Sequence, residues 1–324
     1  MTHKYALIDT ANTFFRARHV INGSADIKLG MAFHITLNSI KKAWQDFNGS
    51  HVVFCLEGRS WRKDYYAPYK RNRSDARAAH TEKEAEEEKV FWEAFDTFKD
   101  FIAEKTNCTV LQHQQLEADD LIAGWIQTHP NADHVIISTD SDFVQLIAPN
   151  VRQYNGVMET TTTHEGILDK KGKRVIDKKT NEAKAVPNPE WLLFEKCMRG
   201  DPTDNVFSAY PKVRKNKLEE AFNDRASKGF AWNNMMLQRW VDHNGAEHRV
   251  LEDYERNRKL IDLAAQPQDI RDVITETINT NAVPKAIDQV GIRLLKFCNL
   301  YDLKKITDSI QQYAEPFQAK YQRA

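Results

Sequence analysis

The chain has 324 residues, 41% of them hydrophobic and 28% charged, enough for one large α/β domain or two unequal ones. Its 46 basic and 46 acidic side chains cancel, so net charge gives no argument for a nucleic-acid partner. No apolar run reaches the ~18 residues of a membrane span, and MTHKYALIDT does not read as a signal peptide, which excludes membrane and secretory classes and predicts a cytoplasmic protein.

In chain order, Lys4–Asp9 reads as a buried strand followed by a helix over about Thr10 to Arg18. A long amphipathic helix covers Leu29 to Phe47. Further strands are predicted at His51–Leu56, Thr109–His113 and His134–Thr139, separated by helical stretches near Ala85–Lys105 and Glu117–Thr128. This alternation predicts an α/β fold with a mostly parallel central sheet flanked by helices. From Thr160 to Pro187 the pattern dissolves into Lys, Gly, Asp and Thr, an exposed hairpin or long loop around Lys171-Gly172. After Pro189 the chain reads as almost wholly helical. The expected division is an α/β domain, residues 1–188, and a helical C-terminal domain, residues 189–324. Cys55, Cys108, Cys197 and Cys298 show no paired spacing and read as small buried hydrophobes in a reducing compartment.

The acids fall at strand ends. Asp9 ends the first strand and Glu57 follows the second; Glu117, Asp119 and Asp120 open the helix after the third; Asp140 and Asp142 follow the fourth. In open α/β sheets the ligand site lies beyond the carboxyl ends of the strands, so these groups should converge on one edge. Asp201 and Asp204, in RGDPTDN, follow a later helix. Like charges gathered in this way call for hard cations, and two such ions grip a phosphodiester from both sides. All-oxygen ligation points to two Mg²⁺ ions, with Mn²⁺ able to substitute. Taken one at a time, Asp9, Glu117 and Asp140 also read as helix caps, and Asp201-Pro202 as a turn. Caps need one acid each, however, and EADD and DSD supply a surplus. A basic, aromatic run, RSWRKDYYAPYKRNRSDAR, spans Arg59 to Arg77.

With these residues in view, the chain resembles the 5′-nuclease family, which includes flap endonucleases and the bacteriophage 5′→3′ exonuclease and ribonuclease H enzymes. The matching pieces are LIDTANTFFR, VVFCLEGRSWRKDYYAPYKRNR, LEADD, ISTDSDFVQL and CMRGDPTDN, in the family's order from about residue 5 to 205. The helical remainder, including YERNRKLIDL, looks most like the phage ribonuclease H branch.

The resemblance implies a PIN-like 5′-nuclease core with a helical arch at about 74–95. It implies one metal site from Asp9, Glu57, Glu117 and Asp119, and a second from Asp119 or Asp120 with Asp140, Asp142 and Asp201, with Asp204 nearby. Lys70 and Arg73 match the basic pair at the foot of the arch, where they would neutralise charge on the scissile phosphate. Phe15, Arg16 and Tyr69 occupy positions near the substrate, Phe15 and Tyr69 being candidates for base stacking; core burial is the other reading of Phe15. Where relatives carry a Gly-rich helix–hairpin–helix, this chain reads NVFSAYPKVRKNKLEEAF, so phosphate contact is expected through Lys212, Arg214, Lys215 and Lys217. The acidic run of Glu82, Glu84, Glu86, Glu87 and Glu88 in the arch reads as a solvated helix face, and the lysines of residues 170–179 as a charged loop.

The implied function is a structure-selective 5′-nuclease that removes RNA primers and flaps, acting as a monomer on DNA and RNA–DNA hybrids with 5′ ends or flaps. In a phage-encoded protein the compartment would be the host bacterial cytoplasm. Docking of a sliding clamp or single-strand-binding protein is one reading of the C-terminal QQYAEPFQAKYQRA; aromatic packing of a last helix is the other. Two further classes stay open on the residues alone. An aspartate-nucleophile phosphatase would use Asp9, and a nucleic-acid-binding module would have lost turnover.

Overall fold

A computed structural model describes residues 2–20 and 23–322, and only the backbone of residues 17–20. Contacts divide the chain into two units: Met1–Ser60, His80–Pro187 and Arg271–Ala324 form one, and Trp61–Ala79 with Asn188–Ile270 the other.

In the first unit, β1 (Lys4–Asp9) leads through α1 (Thr10–Val20) and α2 (Ala25–Phe47) to β2 (His51–Cys55). The chain returns as α5 (Glu82–Lys105), β3 (Thr109–Leu111), α6 (Ala118–Thr128), β4 (Asp133–Ile137) and β5 (Val151–Asn155), α3 (Arg62–Tyr65) and α4 (Arg71–Ala78) belonging to the second unit. A hairpin of β6 (Thr160–Thr163) and β7 (Gly166–Leu168) completes a sheet ordered β3-β2-β1-β4-β5-β6-β7. The first five strands of that order are parallel and the last two antiparallel. Tyr5 to Ile8 and all of β2 are buried, as parallel strands covered on both faces must be. The chain winds from β1 to β2 and β3 on one side, then recrosses to β4 on the other. Winding therefore reverses between β1 and β4, where an α/β sheet opens its crevice.

One sheet face is covered by α2 and α5 together with α12 (Val290–Leu300) and α14 (Ile310–Gln318), through Phe33, Phe91, Phe98, Phe297 and Phe317. This is why residues 271–324 do not join a C-terminal domain as expected from sequence. Their apolar stripe is buried on the sheet's own helices. Trp125 of α6 packs edge-on against Tyr5 from the other face, 5.2 Å between ring centroids.

The second unit contains α3 (Arg62–Tyr65), α4 (Arg71–Ala78), α7 (Pro189–Arg199), α8 (Lys215–Asp224), α9 (Phe230–Met236) and α10 (Val250–Ile261). Its cores gather Phe194, Met198, Leu218, Phe222 and Met236, and, separately, Tyr69, Cys197, Val206 and Leu260. Asn188 caps α7 by accepting from Trp191 N, with Pro189 in the first turn where its missing N–H is harmless.

Several expectations are corrected. The region after Pro189 is not wholly helical: β8 (Arg239–Val241) and β9 (Glu247–Arg249) make a hairpin in which Trp240 stacks on His248 at 4.2 Å. Of the two readings of Thr160–Pro187 the hairpin holds: the stretch is ordered as β6, β7 and two further bridged pairs, Leu168–Arg174, which closes around Lys171-Gly172, and Ile176–Ala183. The arch region is two helices, α4 and the start of α5, and α5 opens with a reciprocal cap between Thr81 and Glu84. Its acids are not only solvated, since Glu87 pairs with Lys28 at 3.1 Å and Glu88 with His80 at 3.0 Å. All four cysteines are free and buried. Tyr321 is buried, which fits aromatic packing of the C-terminal segment, whose last residues, Arg323 and Ala324, lie outside the described ones. No helix among the described residues is long and apolar enough to cross a membrane.

Candidate active site

At the reversal point, Asp9 closes β1 and is 3% exposed. Its Oδ2 accepts from Ser138 Oγ at 2.7 Å, just beyond β4, and Ser138 Oγ in turn accepts from Asp140 N at 3.0 Å. Asn12 ties the same two strand ends together, its Oδ1 accepting from Thr139 N (3.0 Å) and Thr139 Oγ1 (2.9 Å). Asp140 Oδ1 accepts from Asp142 N at 2.9 Å and caps the 3₁₀ turn Ser141–Leu146. Gln153 of β5 donates to the carbonyls of Ser138 and Asp140, fixing this turn from the neighbouring strand.

A third segment enters from β2. Gly58 N donates to Leu116 O and Arg59 N to Gln114 O, both at 2.7 Å. A Cβ at Gly58 would lie 2.1 Å from His113 O, so only glycine lets these backbones meet. The clasp sets Glu57 beside the start of α6, where its Oε2 accepts from Ala118 N at 3.3 Å. At that helix start Glu117 and Asp120 cap each other's backbone, Asp120 Oδ2 accepting from Glu117 N at 3.2 Å. Asp120 is fully buried in this role, whereas Asp119 is half-buried. Burial foremost, and then the charges of Asp9, Asp119 and Glu57, push the Cys55 thiol well above its usual pKa. Among the described residues no group of three or more His, Cys, Asp or Glu side chains is set as a ready-made metal cage. The carboxylates at this edge offer oxygen donors, which suit a hard divalent cation.

The second unit holds the basic pair together with the remaining acids. Lys70 takes a left-handed backbone (φ 54°) before α4, and its N–H donates to Asp204 O at 2.8 Å. Asp204 Oδ1 accepts from Arg73 Nη2 at 2.6 Å; its Oδ2 accepts from Tyr69 OH at 3.0 Å and lies 3.6 Å from Lys70 Nζ. Tyr69 is 5% exposed, so its ring has no open face for a base and its hydroxyl serves Asp204. Asp201 pairs with Lys196 at 2.9 Å and accepts from Thr203 N at 2.9 Å. Burial raises the Asp201 carboxyl, but the Lys196 hydrogen bond and charge, with the local amides, outweigh it and hold its pKa below the ordinary value.

Of the other predicted contact residues, Phe15 packs against Trp92 at 4.5 Å and is half-buried, while Arg16 is exposed. Lys215 and Lys217 pair with Glu219 and Glu220 of their own helix, at 3.8 and 2.7 Å. Lys212, at φ 60°, and Arg214 are exposed and have no carboxylate partner among the described residues. They line a cavity of about 380 Å³ with Tyr210, Asn234 and Phe230. Phe230 is 85% exposed and was not singled out from sequence. Its only sequence signal is a large apolar residue directly after the turn Lys228-Gly229.

Comparison with known proteins places the first unit's chemistry in context. Residues 4–178 match the family model of the 5′-3′ exonuclease N-terminal resolvase-like domain. Ribonuclease H of enterobacteria phage T4 is 25% identical over 315 residues, covering 89% of this chain and 88% of that protein. DNA polymerase I of Rhizobium leguminosarum is 30% identical over 157 residues, 48% of this chain, of which the chain spans 13%. Flap endonuclease Xni of Aeromonas hydrophila is 30% identical over 157 residues, 46% of this chain and 54% of that protein. The bacteriophage T5 D15 protein, crystallised with metal ions, superposes with a TM-score of 0.58 at 19% identity over 86% of this chain and 100% of that one. This last likeness is one of fold.

Proposed function

The chain belongs to the 5′-3′ exonuclease family and is a nuclease, and we propose that it hydrolyses phosphodiester bonds near the 5′ ends or flaps of DNA and RNA–DNA hybrids. The observation that supports the reading is that Asp9 closes β1 beside the β1–β4 reversal, while Glu57, just beyond the neighbouring β2, accepts from the backbone at the start of α6. Asp9, Glu57, Glu117 and Asp119 would hold one divalent cation, Mg²⁺ or Mn²⁺; Asp140 and Asp142 are assigned to a second. Such ions, when bound, supply Lewis acidity and charge neutralisation at a phosphodiester. The chain's own residues do the rest. Ser138 and Asn12 fix the ends of β1 and β4, so Asp9 is oriented before substrate arrives. Lys70 and Arg73 present positive charge to the scissile phosphate. Asp204 is committed to Tyr69, Lys70 and Arg73, and we assign it to aiming those cations, not to metal. Lys212 and Arg214 contact phosphate, and the exposed Phe230 offers a face for a sugar or base.

The test is incubation with a 5′-flap DNA and with an RNA–DNA hybrid, in Mg²⁺ and in EDTA. Metal-dependent release of short 5′-phosphorylated products is expected. Strand binding without cleavage in Mg²⁺ would turn the reading to a binding module, and phosphate release from a small ester without strand cleavage to a phosphatase.

A further inference from the structure

Asn257 lies in the middle of α10 and is fully buried, an unfavourable place for an amide unless every polar atom is paired. Here they are. Nδ2 donates to Cys197 O and to Phe207 O, both at 2.8 Å. Oδ1 accepts from Arg256 Nε at 3.1 Å and Arg256 Nη2 at 2.9 Å. Cys197 O is one of the last carbonyls of α7, which have no partner within their own helix. Phe207 O lies on the far side of the loop that follows α7. One side chain therefore closes the neck of residues 197–207, the loop that carries Asp201 and Asp204.

Inside that neck the loop is already tight. Asp201 and Val206 exchange both backbone hydrogen bonds at 2.8 Å, and Gly200 has φ +77°, where an added Cβ would lie 2.3 Å from Val206 O. Arg256 reinforces the closure by donating to Phe207 O at 3.2 Å, and is itself held by an ion pair to Asp253. Without Asn257, the carbonyls of Cys197 and Phe207 would each lose a donor and the loop would keep its internal turn but lose its fixed seat on α10.

We infer that Asn257 is a positioning residue for the nuclease reaction, holding the loop that presents Asp201 and fixes Lys70 and Arg73 through Asp204. The inference rests on the nuclease reading proposed above, but its structural half can be tested without activity. Asn257→Asp keeps the acceptor for Arg256 and removes both donated hydrogen bonds at almost constant volume. Hydrogen exchange at the amides of Asp201 and Val206 should quicken about tenfold or more in Asn257→Asp, while that of Phe194, earlier in α7, stays within about twofold. Single-turnover cleavage of a 5′-flap DNA in Mg²⁺ should slow about tenfold or more with the substrate Kd within about threefold. Relative to wild type at the same pH, part of that rate should return on acidification, because a protonated carboxyl again donates to a carbonyl. A generally weakened fold would lower the active fraction but would not give this pH-dependent recovery. Unchanged exchange at Asp201 and Val206 overturns the closure. Faster exchange with an unchanged cleavage rate overturns the catalytic consequence. If wild type cleaves nothing, the nuclease reading and the catalytic consequence fall together, and the exchange result still decides whether Asn257 holds the loop.

Discussion

Lys70 spends backbone energy to stand where it does. A non-glycine residue at φ 54° costs roughly 1 kcal/mol, and the Asp204 carbonyl and carboxylate are what hold it there. The ion pair to Arg73 adds little stability, since Arg73 is half-exposed and such pairs are worth about 0–1 kcal/mol. Its value lies in aim. Lys70→Ala is therefore expected to slow single-turnover cleavage about 100-fold while changing substrate Kd less than about threefold. An effect confined to Kd would make Lys70 a docking residue. Tyr69→Phe separates two roles for that ring. The variant keeps the buried ring and loses the bond to Asp204, so a loss of about 1 kcal/mol in a urea melt, with slower cleavage, is expected. Wild-type stability and rate together would leave Tyr69 a purely packing role.

At the scale of elements, the site depends on loops meeting far along the chain. Gly58→Ala places a methyl group against the His113–Leu116 backbone and should cost about 1–3 kcal/mol, with Glu57 displaced and cleavage reduced. A melt and a rate matching wild type would show that the clasp has room to spare. This contact also marks where reading from sequence stops. β1 and β2 were legible because a strand buried on both faces is a continuous apolar run, and the order of the acids at strand ends pointed to one edge. The need for glycine at 58 comes from a backbone more than fifty residues away and has no local signal. β5 was missed because VRQYN carries Arg152 and Gln153, whose polarity is accounted for only once Gln153 is seen donating to Ser138 O and Asp140 O. Tyr69 reads from sequence as a candidate for base stacking, yet its neighbours Cys197, Val206 and Leu260 arrive from α7 to α10 and bury it. Glu117 reads from sequence as one of several helix caps, and it does cap α6, in exchange with Asp120.

At the scale of the whole molecule, the C-terminal segment closes the first unit through histidine. His51 Nδ1 donates to Ala319 O (3.1 Å) while Nε2 accepts from Thr109 N (3.2 Å), an arrangement only the neutral ring can make. Burial, outweighing that hydrogen bond, pushes the His51 pKa down from 6.5 to about 4, and burial likewise pushes His134 down to about 4. A folded pKa below the unfolded one means that this stability is complete above about pH 6.5 and is lost as pH falls toward 4. Urea melts should weaken by on the order of a few kcal/mol between pH 7 and 4, and a His51→Gln, His134→Gln variant should lose less over that range. Equal losses in both proteins would shift the acid sensitivity to the carboxylates. The acids of the sheet edge are the central claim, and an anomalous-scattering map from crystals soaked in Mn²⁺ tests it most directly. Density within ligand distance of Asp9 and Asp119, absent in Asp9→Asn crystals, is the predicted result; a wild-type map with no ion at that edge contradicts it.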